Sequence, residues 1–232
     1  MVGALLAAGA GRRLGRGPKA LLSLDHGRDG EPLVVRAARA LVRGGCDEVV
    51  VVVGASGRLV RDALEAAWVG TPEPGRHRVV VNPDWESGLG SSFRAGIDAA
   101  DRLLSAPGDV GDGSVLLALV DQPGIGEAAI ARLLDAAAQE TTGRRVTAAG
   151  YPDPRGRLVR GHPLVFPLAL ARQAAALAAG DAAGRVWLRE HPEAVDVVDM
   201  GPFATGRDLD TPVDLQWWTR RDAAEGSRVV RT

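Results

Sequence analysis

Residues 5–22 read LLAAGAGRRLGRGPKALL: an apolar run that breaks into a loop with Gly9, Gly11, Gly15 and Gly17 and the cations Arg12, Arg13, Arg16 and Lys19. Glycine accepts positive φ at little cost and leaves room for a ligand against the backbone. Backbone N–H groups and fixed cations then make a cradle for phosphate. Residues 2–7 before the loop read as a strand buried on both faces. A buried strand that opens into such a loop is the first unit of an α/β sheet, whose ligands collect at the carboxyl ends of the strands. Taken alone, the loop also admits the reading of a solvated basic turn, which its glycine and cation pattern disfavours.

The glycine spacing argues against a dinucleotide. After Gly9-Ala10-Gly11, the third glycine of GxGxxG comes one position late, at Gly15. The loop then continues through Gly17-Pro18, where the helix should begin, and no Walker GK[ST] occurs there. A long loop with several cations suits a triphosphate, with Lys19 and Arg13 stabilising its charge.

Outward from the loop, strands and helices alternate. The periodicity predicts a helix over Pro32–Arg43, stopped by Gly44-Gly45, and a fully buried strand at Glu48–Val53 (EVVVVV). It then predicts a helix over Arg58–Trp68, a strand at Arg78–Val81 and a helix over Ser91–Leu104. A polar surface loop at Ser105–Ser114 leads to a strand at Val115–Val120, a helix over Glu127–Gln139 and a strand at Val146–Ala149. Beyond Gly150 the rhythm loosens. A loop or hairpin at Pro152–Arg160, an apolar stretch at Leu164–Phe166 and a helix over Leu168–Ala179 are expected. A helical turn near Arg185–Glu190, a strand at Ala194–Val198, a last helix that begins over Pro212–Trp218 and a polar tail from Arg220 open to fraying complete the chain. The fold class is α/β: three layers around a mostly parallel sheet.

Composition narrows the classes of partner. The formal net charge of -1 over 232 residues gives no general case for nucleic acid or an anionic membrane. Cys46 is the only cysteine, so neither a disulfide framework nor a thiolate metal site is expected, which suits a reducing cytoplasm. The first apolar run is too short to span a bilayer.

Four further constellations carry chemistry. Asp121 ends the strand VLLALV and is followed by Gln122-Pro123, a placement that suits Mg²⁺ as well as it suits a turn. Asp208 and Asp210 in DLDTP fall on one side of an extended segment, and Asp210-Thr211-Pro212 also reads as a helix start. Asn82 opens a strand-to-helix connection in which Gly88, Ser91 and Ser92 offer donors to a phosphate or a base edge, or simply cap the helix. Gly161-His162-Pro163 and Asp181 gain meaning only in context, since an isolated histidine is more often structural. Trp217-Trp218 reads as helix packing or an oligomer contact.

LAAGAGRRLGRGPKALL, NPDWESGLGSSFRAG, VDQP, GHPLVF, GDAAGR and DLDTPVDL occur in that order. Together they resemble the MobA-like NTP transferases, and within them the molybdenum cofactor cytidylyltransferase branch. The resemblance implies a Rossmann-like nucleotidyltransferase domain over residues 1–219, with 220–232 as a polar tail. It implies that Leu6, Ala7, Ala8 and Gly9 contact base and ribose, with Asn82, Gly88 and Ser92 on the nucleotide side. Arg13 and Lys19 would hold the triphosphate, and Asp121, Asp208 and Asp210 a Mg²⁺ ion. Gly161, His162, Pro163 and Asp181 would line the acceptor side. Arg13, Lys19 and Asp121 would carry catalysis. The substrates implied are an NTP, CTP or GTP, and a phosphorylated acceptor such as molybdopterin. A molybdoenzyme or its chaperone is the implied protein partner. The extra glycine in Gly15-Arg16-Gly17-Pro18-Lys19 is closer to the guanylyl branch, and GDAAGR exchanges Gly and Ala relative to the usual GDxGAR. Other acceptors on related folds are sugar phosphates, phospholactate and polyol phosphates. A non-catalytic nucleotide-binding module and a nicotinamide-dependent dehydrogenase are the alternatives of other classes.

Overall fold

The computed structural model describes residues 1–24, 30–69, 76–105 and 113–229. The loop expected over Ser105–Ser114 lies mostly outside these residues. The first half of the chain lays down four parallel strands: β1 (Val2–Leu6), β2 (Glu48–Val53), β3 (His77–Val81) and β4 (Ser114–Leu119). The second half adds β5 (Val146–Pro152), β6 (Leu158–Pro167) and β7 (Val195–Asp199). The seven strands form one sheet in the order β3-β2-β1-β4-β6-β5-β7, in which β6 alone runs against the others.

Strand alternation divides the core in two. Leu5, Val51, Val53 and Leu116 point to a layer made by α1 (Leu33–Arg43), α2 (Gly57–Trp68) and α4 (Glu127–Ala138), joined by Trp218 of α7 (Pro212–Val229). Ala4, Leu6, Val50, Val52 and Leu117 face α3 (Leu89–Leu104), α5 (Leu168–Ala176) and α6 (Arg185–Glu190). Val49 to Val53 are all fully buried, as a strand covered on both faces requires. Full burial of each such side chain is worth about 1.5–3 kcal/mol.

Three stretches refine the expectations. The 152–160 segment is a true hairpin, and β6 begins at Leu158, well before the apolar stretch at Leu164. Its first residues, Leu158 and Val159, are apolar but exposed, and Arg160, Gly161 and His162 separate them from the buried run at Leu164; Asp153 makes the turn by accepting N–H bonds from Arg155 and Arg157. At the other end, the last helix, expected to begin over Pro212–Trp218, runs on to Val229 as α7. α5 is also shorter than expected, ending at Ala176.

The chain leaves β1 toward β2 and β3, then returns to place β4 on the other side of β1. The carboxyl ends of β1 and β4 therefore flank the point where strand order reverses, which is where open α/β sheets bind ligands. No helix among the described residues is long and apolar enough to cross a membrane.

Candidate active site

The glycine loop folds back on itself directly after β1. Leu14 and Gly15 donate their N–H groups to Gly11 O, and buried Leu14 pins the turn to the core. Gly11 has φ +65°, and a Cβ there would lie 2.0 Å from Gly17 O, so the closed loop requires glycine. Pro18 then starts a single 3-10 turn, Lys19–Leu21, in which Ala20 is buried and Lys19 is aimed into the site.

Three distant segments meet at the Lys19 ammonium. It donates to Asp121 Oδ2 at 2.8 Å and to Asp210 Oδ1 at 2.5 Å. Burial by itself would lower the lysine pKa; the two carboxylates overcome it and leave the pKa above its ordinary value. Asp121 follows the end of β4, and its carbonyl accepts the Leu209 N–H at 2.7 Å. That bond, with Leu209 fully buried, sets Asp208 and Asp210 against the strand end. Arg13 extends from the loop, 79% exposed, with Nη1 at 3.4 Å from Asp210 Oδ2. Arg12 pairs with Glu86 at 2.9 Å and lies over the Trp85 ring, which ties the loop to the connection before α3.

Asp208 is beside this cluster but not in it. It accepts from Gln122 Nε2 at 2.8 Å. Surrounding protein raises its carboxyl pKa above the usual range, and the charges of Asp121 and Asp210 add to the effect, while the Gln122 bond and Lys19 oppose it. Among the described residues, no group of three or more His, Cys, Asp or Glu side chains could hold a metal. The acidic pair that converges on one cation is Asp121 and Asp210.

The other expected positions divide into open and committed. Leu6 and Ala7 are buried, with Leu6 O accepting from Val120 N and Ala7 N donating to Val52 O. Ala8 is buried and Gly9 exposed. Asn82 is 3% exposed, and its amide donates to Ser91 Oγ and Ser92 Oγ, so Asn82 and Ser92 fasten the start of α3 from inside. Gly88, at φ +112°, lets α3 approach Gly180, whose carbonyl carbon and oxygen would each stand 2.5 Å from a Cβ at position 88. The Asp181 carboxylate accepts from Leu89 N at 3.4 Å at that same junction.

His162 and Pro163 share a cis peptide bond on β6, and the His162 carbonyl accepts the Tyr151 hydroxyl at 2.6 Å. Gly161 packs under the Tyr151 ring. Burial lowers the His162 pKa to about 4; the Asp121 charge opposes this, and Arg160 and Arg185 reinforce it. The imidazole is therefore neutral near physiological pH. The sequence reading missed Gln122 and Tyr151, whose roles depend on long-range contacts that no local pattern carries. Trp217 and Trp218 meet edge to face, with Trp218 buried, which makes them packing groups.

A cation-loaded glycine loop and two convergent carboxylates at the switch point of a mostly parallel sheet define a nucleotide-transferring class of enzyme fold. The chain belongs to the MobA-like NTP transferase family, whose domain profile matches residues 3–195. It is 43% identical over 215 residues to a protein from Paenarthrobacter nicotinovorans named nicotine blue oxidoreductase, covering 91% of this chain and 92% of that one. Its fold is that of a nucleotidyl transferase from Methanothermobacter thermautotroptrophicus, with TM-score 0.65, 23% identity, and coverage of 95% and 97% of the two chains. It is also that of Rv0371C from Mycobacterium tuberculosis in complex with manganese, with TM-score 0.61, 22% identity, and coverage of 94% and 97%.

Proposed function

We propose that this protein transfers a nucleoside monophosphate, CMP from CTP in the first instance, to a phosphorylated small molecule of the molybdopterin type, with release of pyrophosphate. The observation that carries this reading is the Lys19–Asp121–Asp210 cluster beneath the glycine loop. Its donor set fits a divalent cation. Two carboxylates already converge on one positive charge, and Mg²⁺ or Mn²⁺ takes one or two carboxylates completed by phosphate oxygens and water. A cation at Asp121 and Asp210 would supply charge neutralisation at the reacting phosphate.

The chain's own groups do the rest. Arg13 and Lys19 hold the β- and γ-phosphates, and the loop N–H groups orient the triphosphate. An oxygen of the acceptor phosphate forms a bond to the α-phosphorus, and the α–β bridging bond breaks as pyrophosphate leaves. A phosphate monoester has a second pKa of about 6, so the nucleophile is already ionised and needs no strong general base. Neutral His162 is consistent with that.

Pyrophosphate release tests the reading, measured with CTP, GTP or ATP, with Mg²⁺ or Mn²⁺, and with molybdopterin as acceptor. Release with CTP and acceptor is expected, and a drop of about 10²–10³-fold for Asp121→Asn. Release with GTP alone reassigns the base, and no release with any NTP overturns the proposal. The 43% identical relative is named an oxidoreductase and favours a second reading, a redox reaction, for which the sequence alternative is a nicotinamide-dependent dehydrogenase. The spacing of Gly9, Gly11 and Gly15 opposes it. Oxidation of NADH or NADPH in the presence of nicotine blue, without NTP, would support it.

A further inference from the structure

At the end of the sheet away from Asp121, the layer between strands and helices is not filled. β4 begins at Ser114, about 20 Å of strand before Asp121. There a cavity of about 250 Å³ opens between the sheet and the carboxyl end of α4. Its floor is one face of three neighbouring strands. Ser114 of β4 pairs with Pro167 of β6, and Val165 of β6 with Thr147 of β5, so these four side chains stand on the side that faces α4. Leu134 and Ala137 of α4 form the wall, and Met1 lines the side toward β1.

This floor carries polar groups where a core would be apolar. Ser114 and Thr147 point the same way as Leu116 and Ala149, the buried residues two positions on in their strands. Thr147 is 3% exposed, yet among the described residues neither the Ser114 nor the Thr147 hydroxyl makes a hydrogen bond. Interiors are otherwise close-packed, and a buried hydroxyl without a partner is costly. The charge there is also unanswered. Glu140, just past α4, lines the same cavity and is ionised near neutrality. Its Oε1 accepts from Thr142 N at 2.9 Å and from the Thr142 hydroxyl, whereas its Oε2 is enclosed and has no partner among the described residues. Arg145, which also lines the cavity, is already engaged: Nε and Nη2 donate to Asp196 and Nη1 to Glu193 O, each at 2.6 Å.

Size and chemistry together define an occupant. A dry cavity of ~150 Å³ holds benzene, and drug-sized sites begin near ~300 Å³, so this one suits a single ring with a polar substituent. A carboxylate oxygen only accepts, and hydroxyls can accept as well, so the substituent is a donor. We propose that the cavity between α4 and the start of β4 binds a small organic cation, one planar ring bearing an amine or amidine. The ring lies against Leu134, Ala137, Val165 and Pro167, and its N–H groups go to Glu140, Ser114 and Thr147. The length of β4 separates this site from the nucleotide end, and it stands whether or not the transfer reading does.

The test is isothermal titration of the purified full chain with benzamidine, a flat ring with a forked cation. Benzoate, the same ring with the opposite charge, is the control. Saturable binding of benzamidine is expected, and none of benzoate. Glu140→Gln should weaken benzamidine about tenfold, the loss of one charge-assisted contact. Ala137→Leu fills the cavity and should abolish binding. Thr147→Val keeps the shape of the side chain; because the hydroxyl has no partner in the free protein, the melting temperature should not fall, yet benzamidine should bind more weakly. If Ala137→Leu does not fold, Glu140→Gln and Thr147→Val decide the matter. Asp121→Asn should leave the titration as it was, which separates this site from the acidic pair at the far end of β4. No binding of benzamidine, equal binding of benzoate, or benzamidine binding that the cavity variants leave unchanged overturns the site.

Discussion

Gly9 and Gly11 are both glycine, but only one of them is required by the fold. A Cβ on Gly11 would collide with Gly17 O, and its φ is positive, so Gly11→Ala opens the loop. Gly9 has neither constraint: nothing lies within 4 Å of a Cβ built there. The free space above Gly9 has a use if a nucleotide lies against the backbone. Gly9→Ala should therefore leave the melting temperature unchanged and weaken NTP binding about tenfold, the cost of a methyl group forced into a filled contact. Isothermal titration with NTP alongside a thermal melt reads both quantities. An unchanged affinity would show that the nucleotide does not lie against Gly9. Gly17 belongs to neither case, with φ +80° and open space around it. Its glycine identity is a matter of backbone conformation alone.

At the scale of elements, the start of α7 connects helix capping to the site. Thr211-Pro212-Val213-Asp214 is a capping box: Thr211 N donates to Asp214 Oδ2 at 2.9 Å, and Asp214 N donates to Thr211 Oγ1 at 3.3 Å. The same carboxylate accepts from Asp210 N at 3.3 Å and from Arg207 Nη2 at 2.8 Å, so the cap also holds the backbone of a site residue. The Thr211 and Arg207 hydrogen bonds lower the Asp214 pKa from 3.8 to about 2. A depressed carboxylate stabilises the folded state above its unfolded pKa, and that contribution is lost as pH falls through the folded value. Asp214→Ala should cost about 0.5–2 kcal/mol near neutral pH. The gap to the wild type, read from denaturant melts, should close between pH 3.8 and about 2. A gap that persists unchanged below pH 2 would mean that Asp214 acts through packing and not through its charge. Here sequence and structure meet unevenly. Thr211-Pro212 is legible as a helix start because capping is local, whereas the tie from Asp214 to Asp210 is not. β6 shows the same limit: Val165 and Phe166 announce a strand by burial, but Leu158–Arg160 pair on the exposed side of the hairpin and carry no apolar period.

Across the whole molecule, the first loop, the end of β4 and the segment before α7 are joined at Lys19, which bridges 102 and 191 residues of chain to reach Asp121 and Asp210. Each of these segments was legible as a motif, because each is a short run of glycine, cations or carboxylates next to a strand or helix end. Their meeting was not, since it depends on strand order and on the buried Leu209. The joint also has an energetic consequence. Lys19 neutralises the acidic pair in the metal-free protein, with its side chain 14% exposed. Chelation should therefore stop turnover without lowering the melting temperature. Lys19→Met leaves Asp121 and Asp210 with only the exposed Arg13 beside Asp210 to offset their charge, and should destabilise the chelated protein by about 1–3 kcal/mol. Mg²⁺ or Mn²⁺ should restore most of that loss in Lys19→Met, and shift the wild type much less, because only in the variant does the cation enter an unoccupied charge position. Thermal melts of both proteins, with chelator and with each cation, make the comparison without any substrate. If neither cation raises the melting temperature of Lys19→Met, then Asp121 and Asp210 are a structural partner for the lysine and not a place for a divalent ion.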